Sequence, residues 1–452
     1  MKVLIFYASY GGGHYTAANS IKEYLEEQCV ISKKNAEKKQ QEKIGNNKKY
    51  ENLRKEEQEI IIKQNNNAEK CKAKKQLIKE SPYNNLEIKM VDCMKYINLN
   101  LEKVTTNAYK SVTKNAPKAW EAIYRISDKE PVLSISNFGN KIMSQKLNKL
   151  IQEFNPDVVI STHPFSTQMI AYLKHKKKTN CLLASIMTDY VPQNQWLIGH
   201  EYIDFIFVAT EEMKKMIVDL GVDEHKIYAT GIPISSKFFK KYSKEEVTKE
   251  FNLDEQKDIL LFFGGGEYGL TQKTTSDILR AFINNLKNKY QMIVISGKDE
   301  EIREKFESIA EKLNSTDKVK VIGFSNEIPK LMNVSTLAIT KPGGLTTTEC
   351  INSCLPMIII NPIPGQEEDN AKFIEKNGAG IWIKTNKIKE MFIKEMQKTD
   401  INITFKSYEC IEEQVKNILD NPEKFEQMRK NANRIAKKNS TRDICNIIFS
   451  KI

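Results

Sequence analysis

The sequence predicts an α/β fold of two doubly wound parallel sheets, and three observations carry that expectation. Short, almost solidly apolar runs alternate with helical stretches through most of the 452 residues. Two of those runs, VLIFYAS (3–9) and DILLFFGGG (258–266), lead into glycine clusters, so the pattern begins twice. The runs are continuous and do not alternate polar with apolar, as expected of strands covered on both faces.

In chain order, the strand at 3–9 precedes a glycine loop and a helix over about Ala17–Glu27. LEIKMVD (86–92) is the second strand, followed by a mostly helical stretch over 96–128 and a helix over 138–154. PDVVIST (156–162), a helix near 166–176, LLASIMTD (182–189), IDFIFVAT (203–210) and KIYATGIP (226–233) complete the first half. After the strand at 258–266, the second half has a helix over 272–287 and strands at MIVISG (292–297) and VKVIGF (319–324). LAITKPGG (337–344), MIIINP (357–362), GIWIK (380–384) and a basic helix over 424–438 follow. The expected organisation is a first Rossmann-like domain over 1–235 and a second over 236–425. A helix and tail over 426–452 are expected to pack back towards the first.

Composition narrows the class. A chain that is 40% hydrophobic is not wholly disordered, and 19 Gly with 13 Pro exclude a fibrous protein. The net charge of +12 invites a nucleic-acid reading, but residues 31–85 hold 15 Lys and Arg against 8 Glu. That stretch carries +7, leaving +5 on the rest. Its Lys, Glu, Gln and Asn cannot bury enough surface to offset chain entropy, so it reads as a solvated helix or a disordered insertion. No interleaved aromatic–basic signature supports nucleic-acid binding. No run of about 18 apolar residues is present to cross a bilayer, and no signal peptide is expected. The eight cysteines include no C-x-x-C pair, and Cys350 and Cys354 read as packed side chains. A reducing, cytosolic compartment is expected.

The chemistry gathers on loops at strand ends. Gly11, Gly12, Gly13 and His14 follow the first strand, where glycine lets backbone approach a ligand. The dinucleotide fingerprint fails because its third glycine is Thr16, although Asp92 would mimic a ribose-binding acid. For His14 two readings stand: proton transfer in a cleft, or a loop histidine bonded to its own backbone. His163 reads as a positioning or packing residue on the same rim. Gly264, Gly265 and Gly266 offer an anion nest. Lys341-Pro342-Gly343-Gly344-Leu345-Thr346-Thr347-Thr348-Glu349 offers a helix N-terminus for a diphosphate, with Glu349 in the first turn as a cap or a ribose ligand. Pro364–Asn370 crowds acceptors and amides onto a loop, either for a sugar or as a solvated turn. No Asp-x-Asp pair occurs to bind a nucleoside diphosphate through a metal.

In order and spacing, YASYGGGH, PDVVISTHPF, MTDY, TGIPI, FFGGGEYG, ITKPGGLTTTE and PIPGQEEDN resemble the processive diacylglycerol glycosyltransferases and monogalactosyldiacylglycerol synthases. The N-acetylglucosaminyltransferase that makes lipid II is a more distant relative. The resemblance spans nearly all the chain except 31–85, and that insertion departs from the pattern. It implies a GT-B fold, a UDP-glucose or UDP-galactose donor, a diacylglycerol acceptor and inversion without a catalytic metal or other cofactor. It implies His14 as base, Asp189 in the MTD motif as an acid at the catalytic centre, and Gly12, Gly13 and His163 on the acceptor side. On the donor side it implies Gly264, Gly265, Gly266, Gly343, Gly344, Thr346 and Glu349, with Glu349 at the ribose. Phe324 would flank the uracil, and Gln366, Glu367 and Asn370 would bind the hexose. The implied location is the inner face of the cell membrane, peripherally bound to anionic lipids. Tyr109, Trp120 and Tyr124, interspersed with Lys110, Lys114, Lys118 and Arg125, suit such binding, or else form amphipathic core helices with a solvated face.

Overall fold

The computed structural model describes residues 1–51, 81–127, 132–265, 289–384 and 420–452, with single positions at 276, 279, 280, 283 and 416–418. In the N-terminal half, β1 (Lys2–Tyr7), β2 (Glu87–Asp92), β3 (Val158–Ser161), β4 (Leu182–Ile186), β5 (Phe205–Phe207) and β6 (Ile227–Tyr228) form a sheet ordered β2-β1-β3-β4-β5-β6. In the C-terminal half, β7 (Asp258–Phe263), β8 (Tyr290–Gly297), β9 (Val319–Gly323), β10 (Leu337–Thr340), β11 (Met357–Ile359) and β12 (Gly380–Trp382) are ordered β12-β11-β10-β7-β8-β9. The central pairs β1–β3 and β7–β10 are parallel, registered at Val3–Val158 and Leu337–Leu260. Val3 to Phe6 and Ile259 to Phe262 are buried, as solid apolar runs require. Strand order reverses beside β1 and beside β7. The crevices outside those carboxyl ends are where open α/β sheets take ligands.

The helices around the first sheet are α1 (Gly12–Glu51), α2 (Cys93–Ile97), α3 (Leu99–Asn115), α4 (Pro117–Ser127), α5 (Val132–Phe154), α6 (Pro164–His175) and α7 (Glu211–Asp219). The second half adds α8 (Lys244–Glu250), α9 (Glu300–Lys312), α10 (Ile328–Val334), α11 (Gly344–Asn352), α12 (Gln366–Lys376), α13 (Pro422–Ile435) and α14 (Ser440–Phe449). The helix expected at 272–287 lies almost wholly outside the described residues.

Three sequence expectations shift. The first helix does not stop near Glu27 but runs to Glu51, because the Lys, Glu and Gln that follow are good helix formers, and Gly45-Asn46-Asn47 lies within it without ending it. The insertion is narrower than 31–85, since both of its ends join the body. Ser32 Oγ meets Ser81 Oγ at 2.7 Å, and buried Tyr83 donates its hydroxyl to Asn446 Oδ1 at 2.9 Å. The boundary drawn at 425/426 falls inside α13, which packs Met428 into the C-terminal core.

The chain then returns to the first sheet. α14 sets Ile444, Cys445, Ile448 and Phe449 among Val3, Ile5, Val158 and Phe205. Ser440 and Thr441 donate their hydroxyls to the carbonyls of Ile232 and Ile234, each at 2.8 Å. The last helix is therefore part of the N-terminal core. Ile448 is fully buried, so Ile448→Ala should lower stability by about 2–4 kcal/mol in denaturant unfolding. A change below about 0.5 kcal/mol would show that this helix does not hold the core.

Candidate active site

The loops after β1 and β4 meet the N-terminal ends of α11 and α12 across the two halves, and the loop after β3 packs against His14. His14 lies in the first turn of α1, and its Nδ1 is 2.6 Å from the Thr162 carbonyl oxygen. A carbonyl only accepts, so Nδ1 carries the proton and Nε2 keeps its lone pair. Thr162 Oγ1 donates to the His14 carbonyl at 2.8 Å, and Thr188 Oγ1 sits 3.2 Å from Nδ1. The ring is edge-on to His163, with centroids 4.5 Å apart. Burial pushes the His14 pKa down to about 4, against the opposing effect of the Thr162 bond. The imidazole is therefore neutral at physiological pH, and its acceptor nitrogen Nε2 makes no hydrogen bond among the described residues.

His163 caps α6, its Nδ1 accepting from Phe165 N at 3.2 Å. Burial, and secondarily His14, hold its pKa well below the usual range. The cap bond and the ring contacts with His14 and Phe165 fix its position. Asp92 caps α2 by accepting from the amides of Met94 and Lys95 at 3.0 and 3.1 Å, and takes the Ser9 hydroxyl as well. Those bonds, and no ribose, explain that acid.

The second half presents α11 end-on. Its N-cap is Gly343, so no side chain takes the first-turn N–H groups. Thr346 stands in that first turn. Glu349 does not: it lies in the second turn, and the capping role considered for it is withdrawn. Burial raises the Glu349 pKa to about 8, and its carboxylate forms no ion pair among the described residues. Gly13 of α1 faces Leu345, and Gly12 beside it has open space. A Cβ on Gly344 would lie 1.9 Å from the Thr188 carbonyl oxygen, so only glycine permits this approach of the two halves.

Asp189 and Tyr190, at the end of β4, complete the junction. Asn370 Nδ2 donates to Asp189 Oδ1 at 2.9 Å and to the Pro342 carbonyl at 3.0 Å, while its Oδ1 accepts from Tyr190 N at 2.9 Å. Tyr190 stacks on Phe373 at 4.3 Å, and its hydroxyl lies 2.9 Å from Thr348 Oγ1. Burial raises the Asp189 pKa to about 6; the Asn370 bond opposes this, and Glu367 and Asp369 add to it. Tyr190 was not singled out from sequence. Its only signal is its place next to Asp189 in MTDY.

The remaining donor-side residues are distributed as follows. Gln366, Glu367 and Asn370 lie on the first turns of α12, not on the expected loop. Glu367 Oε2 accepts from Ile363 N at 2.7 Å, and its Oε1 pairs with Lys341 Nζ at 3.5 Å. In this state the Asn370 amide is engaged across the domain junction. The N–H groups of Gly264 and Gly265 both turn back to the Ile295 carbonyl, at 3.0 and 2.8 Å, so these two form no open nest. Gly266 lies outside the described residues. Phe324 is 62% exposed, with Lys298 Nζ 4.8 Å from its ring centre.

Residues 67–234 match the monogalactosyldiacylglycerol (MGDG) synthase family, and residues 243–399 match glycosyl transferases group 1. A processive diacylglycerol beta-glucosyltransferase of Bacillus pumilus is 31% identical over 306 residues, covering 67% of this chain and 71% of that one. One from Bacillus cereus is 31% identical over 307 residues, covering 68% and 73%. The chain belongs to the diacylglycerol glycosyltransferase family. Among solved structures it is similar to UDP-GlcNAc 2-epimerase from Neisseria meningitidis bound to UDP-GlcNAc, with a TM-score of 0.51, 11% identity and full coverage of both chains. MurG of Acinetobacter baumannii is similar at a TM-score of 0.46 and 13% identity, over 70% of this chain and 79% of that one. The fold is GT-B, and this diacylglycerol glycosyltransferase family member is an enzyme of the hexosyltransferase class.

In this family member the Asp189 charge is disfavoured by the junction that holds it. Its pKa rises from 3.8 to about 6 on folding. The folded state therefore binds more protons between those values and loses stability as pH rises through them. Asp189→Asn removes that cost and should raise stability at pH 7.5 by on the order of 1 kcal/mol, with the gain shrinking towards pH 4. Thermal unfolding at both pH values checks this. An unchanged or lower melting temperature at pH 7.5 would mean the carboxylate is not strained.

Proposed function

We propose that the chain transfers a hexose, glucose or galactose, from its UDP-sugar to diacylglycerol with inversion, and extends that product by further sugars. The observation that carries the reading is a neutral His14, its Nδ1 held by the Thr162 carbonyl, directly after Gly13, which packs against Leu345 in the uncapped first turn of α11. In a single displacement, Nε2 takes the proton of the acceptor hydroxyl while the bond from C1 to the diphosphate breaks. Negative charge then collects on the departing UDP. The α11 N–H groups and helix dipole stabilise it, with Lys341 beside them. The same charge raises the basicity of His14 when the donor is bound. The relatives' names support diacylglycerol as acceptor, glucose as one donor and repeated addition.

The enzyme is read as cytoplasmic and peripheral, at the inner face of an anionic membrane. No helix among the described residues is long and apolar enough to cross a bilayer. Tyr96, Leu99, Val104, Ile123, Ile126 and Ile142 are large, exposed and apolar, and all come from one stretch of the N-terminal half. Leu99–Ser127 within it has five Lys and Arg against two Glu. Apolar groups set among cations suit an anionic surface.

Incubation with labelled UDP-glucose, UDP-galactose or UDP-N-acetylglucosamine, with diacylglycerol in anionic vesicles, tests the reaction. A labelled glycolipid from the glucose or galactose donor is expected, and no glycolipid from any donor would overturn the proposal. Transfer only from UDP-N-acetylglucosamine to a polyprenyl-linked acceptor would replace the substrate pair. His14→Ala should cut turnover by about 100-fold or more while UDP still binds; unchanged turnover removes it as base.

Glu349 gives a separate test of the donor site. Ribose hydroxyls would donate to its carboxylate, so binding favours the ionised form of a group whose pKa is about 8. UDP affinity should therefore rise as pH increases from 7 to 8, with a proton released on binding at pH 7. Calorimetry in buffers of different ionisation enthalpy reads that proton. Glu349→Gln should abolish the release. Equal pH dependence in the variant would detach Glu349 from the ribose.

A further inference from the structure

Helix α4 touches both the surface read above as membrane-facing and the helix expected to bind the donor hexose. Ala119, Ala122, Ile123 and Ile126 recur at helical spacing and are exposed, so one face of α4 is an uncovered apolar stripe. Ile123 and Ile126 are 49% and 52% exposed. The half-buried residues Trp120 and Tyr124 fall one turn apart on the other side. Trp120 packs edge-on to Tyr109 of α3 with centroids 4.8 Å apart, which ties α4 to the N-terminal half.

Tyr124 crosses to the other half. A Cβ built on Gly365 would lie 2.3 Å from the Tyr124 ring, so the ring rests directly on the Gly365 backbone. Gly365 has φ +91° and is the N-cap of α12, immediately before Gln366 and Glu367. The positive φ and the ring both require glycine there. Arg125, the next residue, bonds Glu121 at 2.8 Å and is also close enough to Glu368 and Asp369 to feel their charge. Tyr124 and Arg125, which meet α12 at Gly365 and near Glu368 and Asp369, are thus carried by the helix whose opposite face is exposed and apolar.

We propose that Tyr124 is a positioning residue linking docking of α4 on an anionic bilayer to placement of the Gly365–Asn370 turn for the donor hexose. The inference rests on the diacylglycerol transferase reading and adds a surface-dependent control to it. When the stripe at Ile123 and Ile126 enters the headgroup region, α4 is held in one orientation. Tyr124 then holds the Gly365 backbone, and through it Gln366 and Glu367. In detergent α4 lacks that anchor, and the turn samples other positions.

The full-length enzyme is assayed with diacylglycerol in anionic vesicles and in neutral detergent micelles, titrating the UDP-sugar it uses. Wild type should show a donor KM several-fold lower on vesicles. Tyr124→Ala should sediment with vesicles like wild type and bind UDP normally, yet give the detergent KM in both settings. Tyr124→Phe keeps the ring and should keep the gain. Ile123→Asp should lose sedimentation and the gain together. A full vesicle gain in Tyr124→Ala overturns the link. So does an equal loss of rate and UDP affinity in both settings, which is what a merely structural residue would give. A wild type that transfers sugar but never sediments overturns the surface part, whereas one that transfers no sugar at all overturns the underlying function.

Discussion

The two halves are set against each other by one backbone contact. At Gly344 the first turn of α11 comes so close to the end of β4 that a side chain would occupy the space of the Thr188 carbonyl oxygen. A set of cross-junction interactions gathers around that approach. Asn370 can reach Asp189 and Tyr190, Tyr190 can reach Thr348 and Phe373, and Leu345 can cover Gly13. The same approach brings the His14 loop and the open helix terminus to one place. A hydrophobic cluster runs through the junction, joining Met187, Tyr190 and Trp196 to Leu345, Cys350 and Ala371. That burial supplies the attraction, and Gly344 sets the distance.

How much of this could be read from the chain alone depended on the range of the interaction. The strands are legible because burial on both faces leaves a local mark, a solid apolar run such as VLIFYAS or DILLFFGGG. The positions of His14 and of the Pro342–Gly344 turn are legible for the same reason: each directly follows such a run. The extent of α1 is less so, since helix formers such as Lys, Glu and Gln mark both a solvated helix and an insertion. Tyr190 and Tyr124 are illegible in kind. Each matters through a partner more than 150 positions away, Thr348 for one and Gly365 for the other. Nothing in the local spacing of an aromatic residue records that.

Asn370 shows the limit from the other side. Its residue type and its place beside Glu367 and Asp369 point to a hydroxyl-rich ligand. In the structure its carboxamide gives one donor and its acceptor across the junction, and the other donor bond to Pro342 in its own half. A polar side chain near a sheet's carboxyl edge serves equally well to bind a sugar or to fix the groups that do. Sequence carries the chemistry of the group but not its allocation. The allocation seen here makes Asn370 the counterpart of Gly344: the glycine permits the approach, and the amide holds it in register.

The electrostatics of the junction have one cause with three signs of consequence. Burial holds the His14 pKa down to about 4, Asp189 up to about 6 and Glu349 up to about 8. In each case the charged form is disfavoured, so the cleft is arranged against charge before substrate arrives. In the proposed reaction a nucleoside diphosphate would reverse that condition at His14, where its negative charge favours the imidazolium that proton transfer produces. The proposed ribose contact would reverse it at Glu349 by another route, its hydroxyls solvating a carboxylate that forms no ion pair among the described residues. On the proposed mechanism, the desolvation that weakens these groups in the free enzyme makes their roles conditional on the donor. An acceptor hydroxyl would then meet a strong base only when a leaving group is already in place. Water entering the cleft without donor meets a weak one.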